Sequence, residues 1–321
     1  MASLDKAVFT RDNLNSFRNK LMSSSTKEAL SFYIYISPWL IGFLAFTLGP
    51  FMASLILSFT RWDMVQPIVF TSISNYTQLI GRDPLFRRSL YNTVYFVIFS
   101  VPLQQAMCIG LALLLNQQLR GISIYRTIFY LPSVTAGVAT AYLWAYLFST
   151  HNGLLNTSLA AIGIQGPRWL MDPAWSKPAL IMMSLWGGGN AMIIYLAGLQ
   201  GVPTHLHEAA KVDGATVLHR FWHVTIPMIT PTIFYNLVMG FIGAFNVFTA
   251  AYVITAGGPA NSTLFYMLYL YRRAFQDFRM GYASAMAWIL FLIILSLTML
   301  QLVMAKRWVY YEYQQQGSGI I

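Results

Sequence analysis

The feature that most restricts this chain is where charge is missing. No Asp, Glu, Lys or Arg occurs in 29–60, 89–119, 127–167, 178–207, 221–271 or 280–305. About 20 apolar residues cross the hydrocarbon core of a bilayer as a helix. Inside lipid the backbone must satisfy its own hydrogen bonds, and helices do so. Runs of this length predict an all-α membrane protein. Composition agrees, with 57% of residues hydrophobic and 9% charged, against about 25% charged in an average soluble domain. The expected spans are roughly 31–58, 89–116, 127–149, 178–202, 227–255 and 282–305. The run from 221 to 271 is long enough for two spans, but AGGPANS at 256–262 reads as an irregular loop, since Gly-Gly-Pro does not hold a helix.

These spans organise the chain as one membrane domain over 31–305, with a tail before it (1–30) and a tail after it (306–321). Residues 1–28 do not read as a signal peptide, because the apolar run that follows is far longer than an h-region. Leu14, Phe17 and Leu21 fall at helical spacing among Arg11, Arg18 and Lys20, which suits either a surface-lying helix or a loose tail. Pro38, Pro50, Pro102 and Pro132 are expected to kink their spans rather than break them. Between spans three and four, 151–177 reads as short interfacial helices with Trp169 and Trp175 as headgroup anchors. Cys108 is the only cysteine and lies in a span, so it reads as packing, with no disulfide or thiolate metal site.

Six spans put both ends on one side. That side carries 11 Lys/Arg, five of them in the N-terminal tail, so the positive-inside rule makes the termini cytoplasmic. The other side keeps Arg61, Arg82, Arg87, Arg88, Arg168, Lys177, Arg272, Arg273 and Arg279 against Asp63, Asp83, Asp172 and Asp277. Such an excess either contacts headgroups or a protein partner, or draws an anionic solute to an outer vestibule. The net charge of +10 carries no nucleic-acid module with it.

One loop breaks the apolar pattern. EAAKVDGATVLHRFWHVTIP, 208–227, places acids, bases, histidines and a glycine between two greasy segments. Glu208-Ala-Ala-Lys211 favours a short helix from about 205 to 212 after a break and possible cap at Pro203-Thr204. Gly214 turns the chain, Ala215 to His223 can form a second helix, and Pro227 marks the next break. Ala209, Ala210, Gly214 and Ala215 would let another backbone approach closely, while Glu208 and Asp213 offer charge to a basic partner. Such a knob suits docking. Zinc is a weaker reading: His207-Glu208 begins a metalloprotease pattern, but its second histidine would have to be residue 211, which is Lys. An intramembrane enzyme is disfavoured because no acid lies within a span. A plain amphipathic loop explains the helices but not the small residues.

The stretch from Glu208-Ala209-Ala210 through Asp213-Gly214-Ala215 to Ile226-Pro227 resembles the cytoplasmic-loop motif of permease subunits of binding-protein-dependent ATP-binding-cassette importers. YLPSVTAGVATAYLWAYLF at 130–148, GLLN at 153–156, WLMDPAW at 169–175, AGLQGVP at 197–203, TAGGPANST at 255–263 and YRRAF at 271–275 are similar to the carbohydrate-uptake branch. The likeness runs from about Pro38 to Trp308. Within that branch it is to the larger permease subunit of maltose transporters, without its extra N-terminal spans and large insert.

The resemblance implies a six-helix type I importer permease fold, in which this loop forms the coupling helices seated in an ATPase subunit. It implies a second homologous permease chain, two ATP-binding-cassette ATPase subunits and an extracytoplasmic solute-binding protein as partners, in a bacterial cytoplasmic membrane. Glu208 would then pair with a basic residue of the ATPase, Gly214 would give the bend, and Ala209, Ala210 and Ala215 the close packing. The sequence has no G-x-x-x-x-G-K-[ST], so this chain is expected to bind no cofactor, with ATP and Mg on the partners. Polar and aromatic residues inside the spans are candidates for the solute path. Trp186 and Asn190 are spaced i,i+4, and Phe245, Thr249 and Tyr252 i,i+4,i+7, with Asn246 beside them. Aromatic faces stack on sugar rings and amides bond hydroxyls, although the same residues also glue membrane helices together. By resemblance, Asn246 matches a sugar-liganding position. The expected function is import of an oligosaccharide or sugar derivative, tilted by the basic outer loops towards an anionic one, with a neutral sugar as the alternative.

Overall fold

The computed structural model describes residues 28–117 and 119–310. The chain divides into two units, Met1–Leu57 and Ser58–Ile321. Helix α1, Glu28–Ser58, is long and apolar enough to cross a membrane. A π-helical turn at Leu44–Leu48 precedes Pro50, and the Gly49 N–H bonds the Leu44 carbonyl. The prolines leave this helix unbroken, as expected. The amphipathic pattern at Leu14, Phe17 and Leu21 lies outside the described residues.

The second unit opens with a small antiparallel hairpin, β1 (Thr60–Arg61) and β2 (Val69–Phe70), paired Thr60↔Phe70 and Arg61↔Val69. Then come α2 (Ser74–Arg82) and α3 (Pro84–Leu115), the central element. Asp83 caps α3 by accepting from the Leu85 and Phe86 N–H groups, with Pro84 in the first turn where no N–H is missed. Helix α7 (Pro173–Trp186) starts the same way, Asp172 capping ahead of Pro173. The remaining helices are α4 (Ile122–Val134), α5 (Gly137–Leu147), α6 (Leu154–Ala161), α8 (Gly189–Gln200), α9 (Thr204–Val212), α10 (Val217–Met228), α11 (Thr230–Phe245), α12 (Tyr266–Tyr271) and α13 (Met280–Trp308).

Helix α3 packs on α7, α8, α11 and α12. Its buried Val97 and Val101 join Leu180, Phe245, Phe265, Tyr266 and Met286 in the main core. Polar pairs add to the packing, as expected where helices meet in lipid. The Tyr195 hydroxyl donates to Gln105 (2.5 Å), whose amide donates to the Asn236 carbonyl (3.1 Å). Close backbone contact is needed where α8 crosses α4, because a Cβ on Gly189 would lie 3.0 Å from the Phe129 carbonyl oxygen.

The six expected crossings are met, but three of them are broken helices. Helices α1, α3 and α13 span singly, while α4/α5, α7/α8 and α10/α11 are pairs bent by 100°, 49° and 67° that complete the six. The expected kink at Pro132 lies inside the last turn of α4, and the chain breaks after it at Thr135–Ala136, where no glycine or proline stands. Pro227 does not mark a break either. Helix α10 runs through it, relaxed by a π-helical turn at Phe221–Thr225, and bends at Ile229. AGGPANS is non-helical, as expected.

Contacts between loops fit this count. The Met280 N–H bonds the Trp62 carbonyl (2.9 Å), the Ser176 and Ser262 hydroxyls meet at 2.7 Å, and Asn92 donates to the Asn261 carbonyl (2.8 Å). All three join loops expected on the outer side. On the other side, the Tyr310 N–H bonds the Thr230 hydroxyl (2.9 Å), placing that end of the chain beside the start of α11. Trp169 departs from its expected role: it is 8% exposed, donates its indole N–H to Asn156 (2.7 Å) and plugs the base of α6 against Phe148. Trp175 remains 42% exposed.

The coupling loop and the candidate solute path

Helix α9 begins at Thr204, with Pro203 as its N-cap and no side-chain cap bond. It ends in a Schellman closure. The Ala215 N–H bonds the Ala210 carbonyl (2.9 Å) and the Gly214 N–H bonds the Lys211 carbonyl (3.0 Å). That geometry needs a left-handed residue, and Gly214 supplies φ +78°. Two residues on, the Thr216 hydroxyl accepts from the His219 N–H (3.3 Å) and caps α10. Two helices thus meet at a rigid corner held by local bonds.

Glu208, Ala209, Lys211, Asp213 and Gly214 are exposed on this corner, while Ala210 and Ala215 are half-buried in the wall of a cleft of about 460 Å³. The surface around it is apolar: Val212 is 88% exposed, Val217 75%, Leu218 67% and Trp222 58%. Clustered exposed apolar side chains rimmed by charge mark an interaction site. These four were not anticipated from the sequence. Leu218 and Trp222 stand i,i+4 on a helix too short to bury them, and that was the available signal. His219 and His223 stack at 4.0 Å. Among the described residues, no group of three or more His, Cys, Asp or Glu is placed to hold a metal.

The candidate path residues fall into two groups. Trp186 closes α7 and Asn190 sits in the first turn of α8, both exposed. The 49° bend at Gly187–Gly188 separates them, so they do not share one helical face as their spacing suggested. Trp186 instead meets Trp144 of α5 edge to face at 6.1 Å, and the Trp144 indole N–H is buried without a partner. Trp144 thus joins the candidates for the path, although spacing alone did not single it out.

In the second group, α11 ends at Phe245 with exposed Asn246 as its C-cap, donating to the Ile242 carbonyl (2.7 Å). The chain is non-helical at Val247–Phe248, which breaks the expected i,i+4,i+7 stripe. Phe245 turns into the core at 3% exposure and is withdrawn from the path. Thr249 is half-buried near Gly137 of α5, and Tyr252 is 42% exposed, stacked on Phe248 at 5.2 Å and edge-on to Tyr271 at 5.4 Å. Helix α5 packs on Ala251–Thr255 and carries Trp144, so it links the two groups.

At the junction of α2 and α3, Asp83 gathers a network. Its Oδ2 accepts from Tyr269 (2.5 Å) and Tyr282 and lies 3.7 Å from Arg273, which also holds Asp277 at 2.8 Å. Burial pushes the Asp83 carboxyl up, but the Tyr269 and Tyr282 hydroxyls, the Phe86 N–H and the Arg273 charge outweigh it and hold it below the usual carboxylate range.

Residues 86–310 match the family described as "Binding-protein-dependent transport system inner membrane component". The chain belongs to this family. Its relatives include the probable ABC transporter permease protein YesP of Bacillus subtilis, 42% identical over 92% of this chain and 97% of that protein. The lactose transport system permease protein LacF of Rhizobium radiobacter is 36% identical over 89% and 99%. Among solved structures, a bacterial ABC transporter involved in the import of the acidic polysaccharide alginate has a chain that superposes with a TM-score of 0.78. That chain is 27% identical, with 89% of this chain and 98% of that one covered. The protein is therefore a type I importer permease subunit and not itself an enzyme. It is an inner-membrane component of a family that works with ATPase, permease and binding-protein partners.

Proposed function

We propose that this chain forms one side of the path of an ATP-driven importer for an oligosaccharide or sugar derivative. It acts with a second homologous permease, two ATPase subunits and an extracytoplasmic binding protein, its termini cytoplasmic. The observation that carries this reading is the rigid corner at 204–216, where Glu208 and Asp213 flank Val212, Val217, Leu218 and Trp222. A helix corner that exposes this much apolar surface needs a protein cleft to enter. ATP-driven closure of the ATPase pair moves the knob, and α10 conveys that motion without a break as far as Ile229. There it meets α11, whose far end carries Asn246. A shift at the knob thus turns the element lining the path, the rigid-body logic of alternating access.

The substrate class rests on the lactose and alginate relatives and on the groups they would meet here. Trp186 and Tyr252 are exposed aromatic side chains, Asn190 and Asn246 exposed amides, and the unpartnered Trp144 N–H awaits an acceptor. An anionic sugar is favoured by the outer charges. Asp83 and Asp172 cap helices, Asp63 accepts from the Val65 and Gln66 N–H groups, and Asp277 is held by Arg273. Among the described residues Arg273 is the only outer base in an ion pair, so the vestibule keeps a positive field. The relative named for lactose favours a second reading, a neutral sugar.

ATP-dependent uptake into liposomes bearing the full complex and its binding protein tests both. Arg88→Gln with Arg168→Gln lowers uptake of a uronate oligosaccharide but not of lactose, and added salt erases the difference. Equal loss for both solutes removes the anion preference. Pull-down from native membranes tests the assembly: wild type brings an ATPase and Glu208→Arg loses it, whereas a wild type that brings none ends the importer reading.

A further inference from the structure

A second cavity lies far from the coupling loop, on the outer side. It encloses about 380 Å³ between the β1–β2 hairpin, α2 and the segment leading into α13. That is within the range of small-molecule sites, about 300–1,000 Å³. Arg61, Trp62, Asp63, Gln66, Gln78 and Arg279 line it. Its walls are tied together. Asn75 donates to the Ser58 and Thr60 carbonyls (2.8 Å each), and the Met280 N–H bonds the Trp62 carbonyl (2.9 Å). Arg279 donates to Gln78 (3.0 Å) while its guanidinium lies 4.4 Å from the Tyr282 ring centre. Three non-glycine residues are held in the left-handed region, Phe278 (φ 51°) in the lining and Met64 (φ 69°) and Ser72 (φ 52°) beside it. Strained backbone persists where the surroundings over-determine it, and it concentrates at functional sites.

Resting on the carbohydrate reading above, we infer that this pocket is an outer sugar subsite, which takes one hydroxyl-bearing ring of the solute as it arrives. The chemistry of the lining selects that ligand. Arg61 and Arg279 line the pocket with Asp63 and Asp277. Asp277 is already held by Arg273 outside the lining and Arg279 is engaged by Gln78 and the Tyr282 ring, so a small positive excess is left and charge alone does not select the ligand. What remains is a balanced set of planar donors and acceptors, the Gln66 and Gln78 amides among them, around one indole. Sugar hydroxyls donate and accept in equal measure, and the ring's C–H face packs on an aromatic plane. The pocket therefore reads the ring, while the outer field acts on any charge the solute bears.

Saturation-transfer NMR on the full complex in lipid nanodiscs tests this, with lactose, maltotriose and an alginate trisaccharide as probes at about 10 mM, suited to a millimolar site. At least one probe gives a signal that falls roughly fivefold in Trp62→Ala, the loss of one stacking contact. Gln66→Ala, an exposed side chain whose truncation leaves the hairpin bonds in place, lowers the signal too. Silence from every probe in wild type overturns the proposal. So does a signal unchanged in both variants but lost in Asn246→Ala, which puts the sugar in the membrane path. If the variants keep the sugar signal and lose the solute-binding protein, the pocket is a docking socket and the proposal again falls. Uptake by the same complex in liposomes separates the two readings. Sugar uptake with no effect on the variants' signals removes only the subsite, and no uptake of any sugar by wild type removes the importer reading itself.

Discussion

Asp83→Asn removes a charge from the outer network while keeping its shape, and the structure allows the cost to be worked out. The Asn side-chain oxygen still accepts from Leu85 and Phe86, so the cap, worth about 1 kcal/mol, survives. With the amide oxygen held by the cap, the Oδ2 position becomes an NH2 that only donates. The Tyr269 and Tyr282 bonds, charge-assisted and about 1.5–3 kcal/mol each, survive only reversed, as neutral bonds of about 0.5–1.5 with the tyrosine oxygens accepting. That loses about 2 kcal/mol in all. The Arg273 attraction at 3.7 Å is about 4–5 kcal/mol before solvation at an effective dielectric constant near 20. Arg273 is 22% exposed and keeps Asp277, so only about 1 kcal/mol of that is a net loss. The expected destabilisation is about 2–4 kcal/mol, read as thermal unfolding of the full chain in detergent. A double-mutant cycle with Arg273→Gln should show about 1 kcal/mol of coupling. A loss below about 0.5 kcal/mol, or strict additivity with Arg273→Gln, refutes the reasoning. The pH dependence has a fixed sign. Because the folded carboxyl titrates below its ordinary value of 3.8, its contribution is complete above that value and is lost as pH falls through the lower, folded one. The gap between wild type and Asp83→Asn is thus flat at neutral pH and closes in strong acid.

Further changes test other parts of the molecule. Gly214→Ala meets nothing within 4 Å, so its cost is the left-handed backbone alone, about 1–2 kcal/mol. It should raise the ATP hydrolysed per solute imported, and an unchanged ratio would mean that the corner transmits no force. Gly189→Ala forces α8 off α4 and should cost about 1–3 kcal/mol in thermal unfolding. Gly110→Ala, with nothing within 4 Å inside α3, should be neutral or slightly stabilising. Leu218→Asp combined with Trp222→Ala should cut ATPase co-purification roughly tenfold or more without moving the unfolding temperature. Retention of the ATPase would exclude this face from docking.

The spans were legible because lipid tolerates so little charge, whereas a water-soluble fold seldom leaves a run as long as 89–119 or 280–305 with none. The coupling loop was legible for a local reason: Gly214 and the alanines act within one turn of themselves, whereas the Thr216 cap, one residue past the expected helix start at Ala215, was not singled out. The bends were not legible. The chain turns by 100° across Thr135–Ala136, neither of them a breaker, with α5 packed on Ala251–Thr255 beyond the turn. Helical spacing misled twice, at Trp186/Asn190 and at Phe245/Thr249/Tyr252, because it presumes an unbroken helix. Nor could Asp83 be singled out, since its partners Tyr269 and Tyr282 stand 186 and 199 residues away.

That separation bears on how the chain is made. Asn92 waits for the carbonyl of Asn261, 169 residues later, as Asp83 waits for Tyr269. At roughly 5–20 residues per second, a ribosome needs about 10–40 s to supply those partners. For that interval this end of α3 has only its own cap, with the second carboxylate oxygen of Asp83 and the amide N–H groups of Asn92 still without their distant partners. Whatever shelters nascent helices during insertion must hold this one until the last crossing arrives, and the finished outer staple is then the step that releases it.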